Sequence, residues 1–224
     1  MPLIVWCALS ATAQAQLVAP LDSFTQTCGP LVSPDPQRIR PMDYRTEHVR
    51  RPMVETYHFP PHVENLIRPI FTTFGSSISY TLHGYPNHVR ALATMVRLGE
   101  REKTDKPAGA DYTIDCYFQR ALRFTPDDQV VRMLYVSYLG KRGRREDALR
   151  LVDSIDAEAG NDPMTRRNLG LVFLELKLPE RALAQLDKAD PTDPAMLLLR
   201  RTLHAGGHLA RTTAAPAVSA ASAP

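Results

Sequence analysis

An internal repeat constrains the fold of this 224-residue chain more than any other feature of its sequence. The segment 178–194, LPERALAQLDKADPTDP, matches the segment 144–160, RREDALRLVDSIDAEAG, at a shift of 34 positions. The shift superposes Glu146, Ala148, Leu149, Asp153 and Asp156 on Glu180, Ala182, Leu183, Asp187 and Asp190. An interval of this length is typical of helix-turn-helix units that stack on their neighbours. The repeat therefore predicts an all-α protein.

Three helical hairpins can be placed between residues 87 and 194 on this interval. The best defined occupies 163–194 and carries Leu169, Gly170, Phe173, Ala182, Leu186, Ala189 and Pro194. Gly170 and Ala182 are small enough to let two helices approach closely, and Pro194 can begin the next helix without an amide partner. A degenerate unit covers 129–160, and a looser one combines 87–103 with 111–128.

These positions resemble the signature of tetratricopeptide (TPR) repeats, and the chain is similar to TPR proteins of the bacterial envelope over about half its length. The resemblance implies a right-handed superhelical solenoid over residues 87–208, made of three hairpins and a capping helix that begins at Pro194. It also implies a non-enzymatic scaffold or adaptor role in assembling protein complexes of the envelope, a role that many TPR proteins share.

In the register of TPR repeats, the first helices of the hairpins line a concave groove. The residues that this register places in the groove are Met133, Tyr138, Arg167 and Asn168. The resemblance implies that such a groove binds an extended peptide or a helix of a partner protein. A solvent-facing role for each of these side chains is the simpler alternative.

The N-terminus and the cysteines point to export. Residues 1–15, MPLIVWCALSATAQA, combine an apolar run with a small-x-small cleavage site, which predicts a signal peptide and a periplasmic or secreted protein, although no Lys or Arg precedes the run. Removing this segment leaves two cysteines, Cys28 and Cys116. An even number in an oxidising compartment predicts a disulfide between them, and two unrelated buried thiols are the alternative.

Residues 16–86 carry no repeat and are rich in proline, which predicts an irregular arm with one short helix near 61–68. Residues 209–224 have the low-complexity composition of a disordered tail. Arginines crowd the arm at Arg38, Arg40, Arg45, Arg50 and Arg51. An anionic polysaccharide is therefore an alternative partner, whereas the small net charge of +3 gives no support for nucleic acid.

The sequence contains no nucleophile elbow, phosphate-binding glycine loop or HExxH motif, so we expect a protein that is not an enzyme and binds no cofactor. His83 and His88 flank a turn and are weak candidates for metal ligands, because no third ligand stands at a diagnostic spacing. A metal or ligand site between the arm and the first repeat therefore stays open as an alternative function. No stretch of the sequence is apolar and long enough to span a membrane.

Overall fold

The structure is a computed structural model that describes residues 26–36, 39–190 and 192–208. These residues form α-helices joined by turns and loops, without a β-strand among them, and this confirms the all-α fold class. The chain divides into two compact units, residues 1–158 and 159–224. The predicted signal peptide (1–15) and the predicted disordered tail (209–224) lie outside the described residues.

The helices are numbered here in chain order. In the first unit they are α1 (Arg51–His58), α2 (Pro61–Glu64), α3 (Phe74–Gly84), α4 (Val89–Glu102), α5 (Ile114–Phe124), α6 (Gln129–Lys141) and α7 (Arg145–Glu158). In the second unit they are α8 (Pro163–Glu175), α9 (Pro179–Ala184), a 3₁₀ turn (Leu186–Lys188) and α10 (Pro194–Ala205).

Most of these helices begin at a side chain that caps a free backbone N–H group. The capping residues are Thr73 for α3, His88 for α4, Thr113 for α5, Asp128 for α6, Asp162 for α8 and Asp193 for α10. The first backbone N–H groups of a helix have no partner within it, so an oxygen or nitrogen acceptor at this position fixes where the helix starts.

In the first unit, consecutive helices pack on one another around a continuous apolar core. Helix α4 contacts α3, α5 and α6, and helices α6 and α7 form a hairpin closed by Gly143, whose φ of 74° suits glycine. The core includes fully buried Leu92, Met95, Phe118 and Tyr135. The predicted hairpins 87–128 and 129–160 thus correspond to the pairs α4–α5 and α6–α7.

In the second unit, α8 packs against both α9 and α10. Gly170 permits the close approach of α8 to α10, because a Cβ atom at this position would lie 2.4 Å from Cδ2 of Leu199. Ala182 is fully buried. Helix α10 begins at Pro194 and ends before Gly206. The small residues and the proline of the repeat therefore have the roles expected from the sequence. Gly170 and Ala182 lie at close helix contacts, and Pro194 begins a helix.

The prediction of an irregular segment from 16 to 86 was wrong for α1 and α3. Pro52 lies in the first turn of α1 and Pro61 begins α2, where the missing N–H group is not needed, so these prolines start helices instead of breaking them. Helix α3 contains no proline. The short helix expected near 61–68 is present as α2, and the chain turns at Leu66, which has a φ of 55°.

Candidate functional site

A hollow of about 430 Å³ opens on the surface of the first unit beside Tyr138. It is lined by Asp105, Thr113, Asp115, Tyr138, Arg142 and Arg144. A smaller hollow of about 110 Å³ shares Tyr138 and Arg142 with it and adds Val96, Gly99, Glu100, Ile114 and Lys141. The two hollows adjoin at these shared residues, beside α4, α6 and the start of α5, and we call them together the Tyr138 hollow.

Ion pairs surround the Tyr138 hollow. Lys141 Nζ lies 3.2 Å from a carboxylate oxygen of Glu100, and Arg142 pairs with Asp105. Arg144 binds Asp115 at 2.5 Å. The cations come from the end of α6 and the turn after it, whereas the carboxylates come from α4, the following loop and α5. Exposed pairs of this kind stabilise a fold by only about 0–1 kcal/mol each, so their members can exchange for groups of a ligand.

Two of the predicted groove residues, Met133 and Tyr138, are 6% exposed each. The Tyr138 ring packs 5.4 Å from that of Phe118 and near that of Tyr135. Burial and the nearby Asp115 raise the pKa of Tyr138 to about 12, so its hydroxyl stays protonated at neutral pH. Tyr138 therefore contributes a neutral, largely apolar wall to the hollow that carries its name.

The other two predicted groove residues, Arg167 and Asn168, belong to α8 in the second unit. Both are half-buried, and the Arg167 guanidinium donates to Oδ1 of its neighbour Asn168 at 2.8 Å. The Asn168 oxygen thus accepts from Arg167, and the amide N–H groups of Asn168 are the part of its side chain that can donate to another group.

A second depression, the His83 cleft, has a volume of about 290 Å³ and lies between the segment before α1 and the end of α3. Its lining comprises Pro30, Ser33, Pro34, Asp35, His83, Asp111 and Tyr112. His83 Nε2 donates to Asp111 Oδ2 at 2.7 Å. The cleft therefore brings one of the two predicted metal-ligand candidates next to a carboxylate.

Two interactions hold residues 28–31 in place, and Pro30 within this segment lines the His83 cleft. Cys28 and Cys116 form a disulfide with a Cα–Cα distance of 5.2 Å, as the sequence predicts. The fully buried Arg120 guanidinium donates to the carbonyl oxygens of Cys28 at 2.9 Å and Pro30 at 2.8 Å, and makes longer contacts with those of Gly29 and Leu31. A covalent bond and a buried cation therefore attach this segment to α5.

The other metal-ligand candidate, His88, is fully buried away from the cleft. Its Nδ1 accepts from the backbone N–H of Ala91, so the proton lies on Nε2, which donates to Glu55 at 3.2 Å. Burial lowers the pKa of His88 to about 4. Within the described residues no group of three or more His, Cys, Asp or Glu side chains is arranged to hold a metal ion.

The arginines of the predicted arm have different surroundings. Arg45 forms salt bridges with Asp43 at 2.7 Å and Asp127 at 2.9 Å, and this contact holds the pKa of Asp43 down at about 2. Arg50 donates to Met42 Sδ, and Arg51 donates to the carbonyl oxygen of Tyr44. Arg40 lies among the described residues, whereas Arg38 lies outside them.

Sequence reasoning missed a polar network centred on the fully buried Asn87. Its amide donates to Asp43 at 2.7 Å and to Asp128 at 3.0 Å, while its oxygen accepts from the backbone N–H of Tyr44. A signal was present in the sequence, because Tyr85-Pro86-Asn87-His88 and Thr125-Pro126-Asp127-Asp128 are equivalent junctions, each leading into a capped helix. The interval between these two junctions differs from the 34 residues of the repeat, so the repeat does not reveal that they are equivalent.

No protein-family model, curated protein or solved structure matches the chain. Among the described residues, none of the helices combines the length and the apolar character that crossing a membrane requires.

Proposed function

We propose that the protein is an exported, non-enzymatic scaffold of the TPR type, whose hairpins form a solenoid and whose Tyr138 hollow binds an extended segment of a partner protein. The disulfide between Cys28 and Cys116 supports export, because such bonds persist in oxidising compartments. In this proposal the partner is a component of a bacterial envelope complex that the scaffold helps to assemble.

The observation that carries this proposal is the packing around α4. As the first helix of its hairpin, α4 contacts its own second helix α5 and also α6, the first helix of the next hairpin. Helices stacked in this way are the unit of a solenoid, and the first helices then lie side by side along one surface. The Tyr138 hollow opens between these two first helices.

The lining of the hollow suits a peptide in an extended conformation. Val96, Ile114 and Tyr138 offer an apolar floor for a side chain, whereas the ion pairs at the rim offer donors and acceptors for peptide groups. Binding of this kind uses polar side chains for the backbone of the ligand and apolar surfaces for its anchors.

Site-specific photo-cross-linking in cells tests the proposal. A photoreactive phenylalanine replaces the exposed Lys141 at the rim of the hollow, and in a matched control it replaces the exposed Val130 on the same helix α6, which does not line the hollow. We expect one envelope protein to cross-link in high yield from position 141 and not from position 130. Equal cross-linking from both positions, or from neither, contradicts the proposal.

The His83 cleft supports a second candidate function, the binding of a metal ion or small ligand between the arm and the first repeat. The observation in its favour is the His83–Asp111 pair in a cleft that is also lined by Pro30, two residues after the disulfide-bonded Cys28. Metal analysis of purified protein tests it directly. Stoichiometric metal that disappears in His83→Ala and persists in the exposed His48→Ala supports this candidate, and metal-free protein with no zinc binding in equilibrium dialysis contradicts it.

A further inference from the structure

The disulfide between Cys28 and Cys116 joins two cysteines that differ in their surroundings. Cys116 lies in the first turn of α5, where Thr113 caps the helix and accepts from the Cys116 backbone N–H at 3.2 Å. Cys28 belongs to the segment before α1. The first turn of a helix carries the positive end of the helix dipole, which favours a negative charge on the Cys116 sulfur.

A buried cation lies beside this disulfide. Arg120 follows Cys116 by four positions, so the two side chains share a face of α5. The Arg120 side chain is 1% exposed, and its guanidinium donates to the carbonyl oxygen of Cys28 at 2.9 Å. Arg120 therefore extends from the helix face that carries one cysteine to the backbone of the other.

The charge of Arg120 has no ionic partner while the disulfide is intact. Within the described part of the chain, its hydrogen bonds go to carbonyl oxygens of residues 28–31, and it forms no salt bridge with a carboxylate. Its Nε–H group is buried without an acceptor among the described atoms. A buried cation is normally paired with an anion, because carbonyl dipoles replace only part of its hydration. A thiolate at Cys116 would supply that anion.

The carboxylate next to Cys116 in sequence does not take this place. Asp115 accepts from the Tyr135 hydroxyl at 2.8 Å and forms a salt bridge with Arg144 at 2.5 Å. These contacts engage the Asp115 charge, so it opposes a thiolate on the neighbouring residue only weakly. The cation of Arg120 then has the larger effect on the Cys116 sulfur.

We propose that the Cys28–Cys116 disulfide is a reversible thiol–disulfide exchange site, in which Cys116 leaves as a thiolate that Arg120 stabilises. A thiolate of an external dithiol attacks Sγ of Cys28 and forms a mixed disulfide, and the electron pair of the broken S–S bond goes to Sγ of Cys116. The second external thiolate then attacks the external sulfur of the mixed disulfide and releases Cys28. The external dithiol is oxidised to a disulfide by two electrons. One of its two protons ends on Cys28 and the other in water.

Two features favour this course of exchange. A well-stabilised thiolate leaves faster, which selects Cys116 as the leaving group. After reduction, Arg120 can still bind the carbonyl groups of residues 28–31, so Cys28 stays close enough for the bond to form again. Because both cysteines are buried, exchange requires local opening of the segment around Cys28, which is flanked by the exposed Thr27. The inference does not rest on the proposed function.

Peptide mapping by mass spectrometry tests which sulfur is attacked. Residues 16–224, the chain without the predicted signal peptide, contain no cysteine besides these two. The oxidised protein is incubated with reduced glutathione, quenched with acid, and its free thiols are blocked with N-ethylmaleimide. We expect glutathione on Cys28 in at least about tenfold excess over Cys116. Glutathione on both sulfurs in equal amounts, or a disulfide that stays intact in excess dithiothreitol under native conditions, overturns the inference.

Alkylation of single-cysteine variants tests the thiolate. Cys28→Ser leaves Cys116 as the reactive thiol, and Cys116→Ser leaves Cys28. The ratio of the iodoacetamide rates at pH 6 and pH 9 reports ionisation separately from accessibility, and it is below about 0.01 for a cysteine that ionises near pH 8.5. We expect a ratio above about 0.1 for Cys116 and an ordinary ratio for Cys28. Ordinary ratios for both overturn the inference.

Variants of Arg120 in the Cys28→Ser protein assign the thiolate to the guanidinium. We expect Arg120→Met to lower the ratio at least about tenfold, and Arg120→Lys, which keeps the charge, to lower it less. The control Arg200→Met changes an exposed position of α10 and should leave the ratio as it is. An unchanged ratio in Arg120→Met overturns the inference. If Arg120→Met is unfolded by circular dichroism, the glutathione selectivity and the two single-cysteine ratios decide the question without it.

Discussion

Arg120 shows how a single residue can position a whole segment. Its guanidinium is buried, donates to backbone carbonyls of residues 28–31, and lies 4.4 Å from the ring centroid of Tyr112. Burial lowers the pKa of Arg120, yet an arginine remains charged in proteins, so the cation depends on these carbonyl oxygens for solvation. The carbonyls in turn lose their donors if the side chain changes.

We therefore expect Arg120→Met to lower the free energy of unfolding by about 2–4 kcal/mol, because the carbonyl groups of residues 28–31 lose a charged donor and that of Cys28 is buried. Urea denaturation of the oxidised protein measures this change. The control is Arg200→Met at an exposed position of α10, which should change the stability by less than about 0.5 kcal/mol. Similar losses in the two variants would show that the carbonyl contacts contribute little.

His88 gives the protein a pH dependence whose sign follows from burial. Its folded-state pKa of about 4 lies below the ordinary value of 6.5, so the unfolded chain binds the proton first as the pH falls. Stability contributed by neutral His88 is fully present above about pH 6.5, declines below it and is lost by about pH 4. The expected loss across this window is about 3 kcal/mol.

His88→Asn isolates this effect, because asparagine also caps a helix but does not titrate in this range. We expect the variant to lose less stability between pH 6.5 and 4 than the unmodified protein, as measured by urea denaturation at each pH. His48→Asn, at an exposed position, should keep the full dependence. Identical pH profiles for the unmodified protein and His88→Asn would contradict the assignment. The stability that ionised Asp43 contributes is lost at lower pH, between about pH 3.8 and 2.

At the scale of elements, the caps at the junctions between helices differ in how deeply they are embedded. Asp128 accepts from the backbone N–H of Val131 and from the Asn87 amide, and it is almost fully buried. Asp162 caps α8 through Thr165 at 2.8 Å but is exposed. Aspartate therefore caps a helix at both junctions, but in a buried polar network at Asp128 and at an exposed position at Asp162.

We expect Asp128→Ala to lower the free energy of unfolding by about 2–3 kcal/mol, since it removes a cap and leaves one N–H of the buried Asn87 amide without its acceptor. Asp162→Ala should cost about 1 kcal/mol, the usual effect of losing an exposed cap. Thermal denaturation of the two variants under the same conditions gives the comparison. A larger effect for Asp162→Ala would be incompatible with the buried network around Asn87.

The sequence predicted the helices of the repeat well because their spacing, small residues and prolines all follow local rules. Gly143, Gly170 and Pro194 have the roles that these rules assign to them. It failed for α1 because a proline can begin a helix as well as end one, and the composition alone does not distinguish the two cases. It failed for α3 because the proline content of residues 16–86 as a whole does not apply to Phe74–Gly84, which contains no proline. Whether either segment is helical depends on the tertiary contacts that bury Val54 and Ile78.

The candidate site could be predicted only in part for a related reason. Tyr138 was identified from the repeat register, but its carboxylate and guanidinium neighbours come from α4, α5 and two loops that are distant in sequence. Arg120 gave no signal at all, because its partners are backbone carbonyls that any residue would offer. The disulfide was predictable, because the two cysteines that lie beyond the predicted signal peptide allow a single pairing.

At the scale of the whole molecule, the first unit carries the features on which the proposals rest. It contains the disulfide, the Tyr138 hollow and the His83 cleft. The second unit contributes Arg167 and Asn168 on α8.

The division into two units predicts different behaviour for the two parts when they are produced separately. Residues 16–158 include a continuous apolar core and the disulfide, so this fragment should be helical by circular dichroism and unfold in one cooperative transition, within about 10 °C of the full chain. Residues 159–224 form a much shorter unit, whose core is too small for high stability, and should unfold broadly at low temperature. An unfolded 16–158 fragment would contradict an independent first unit.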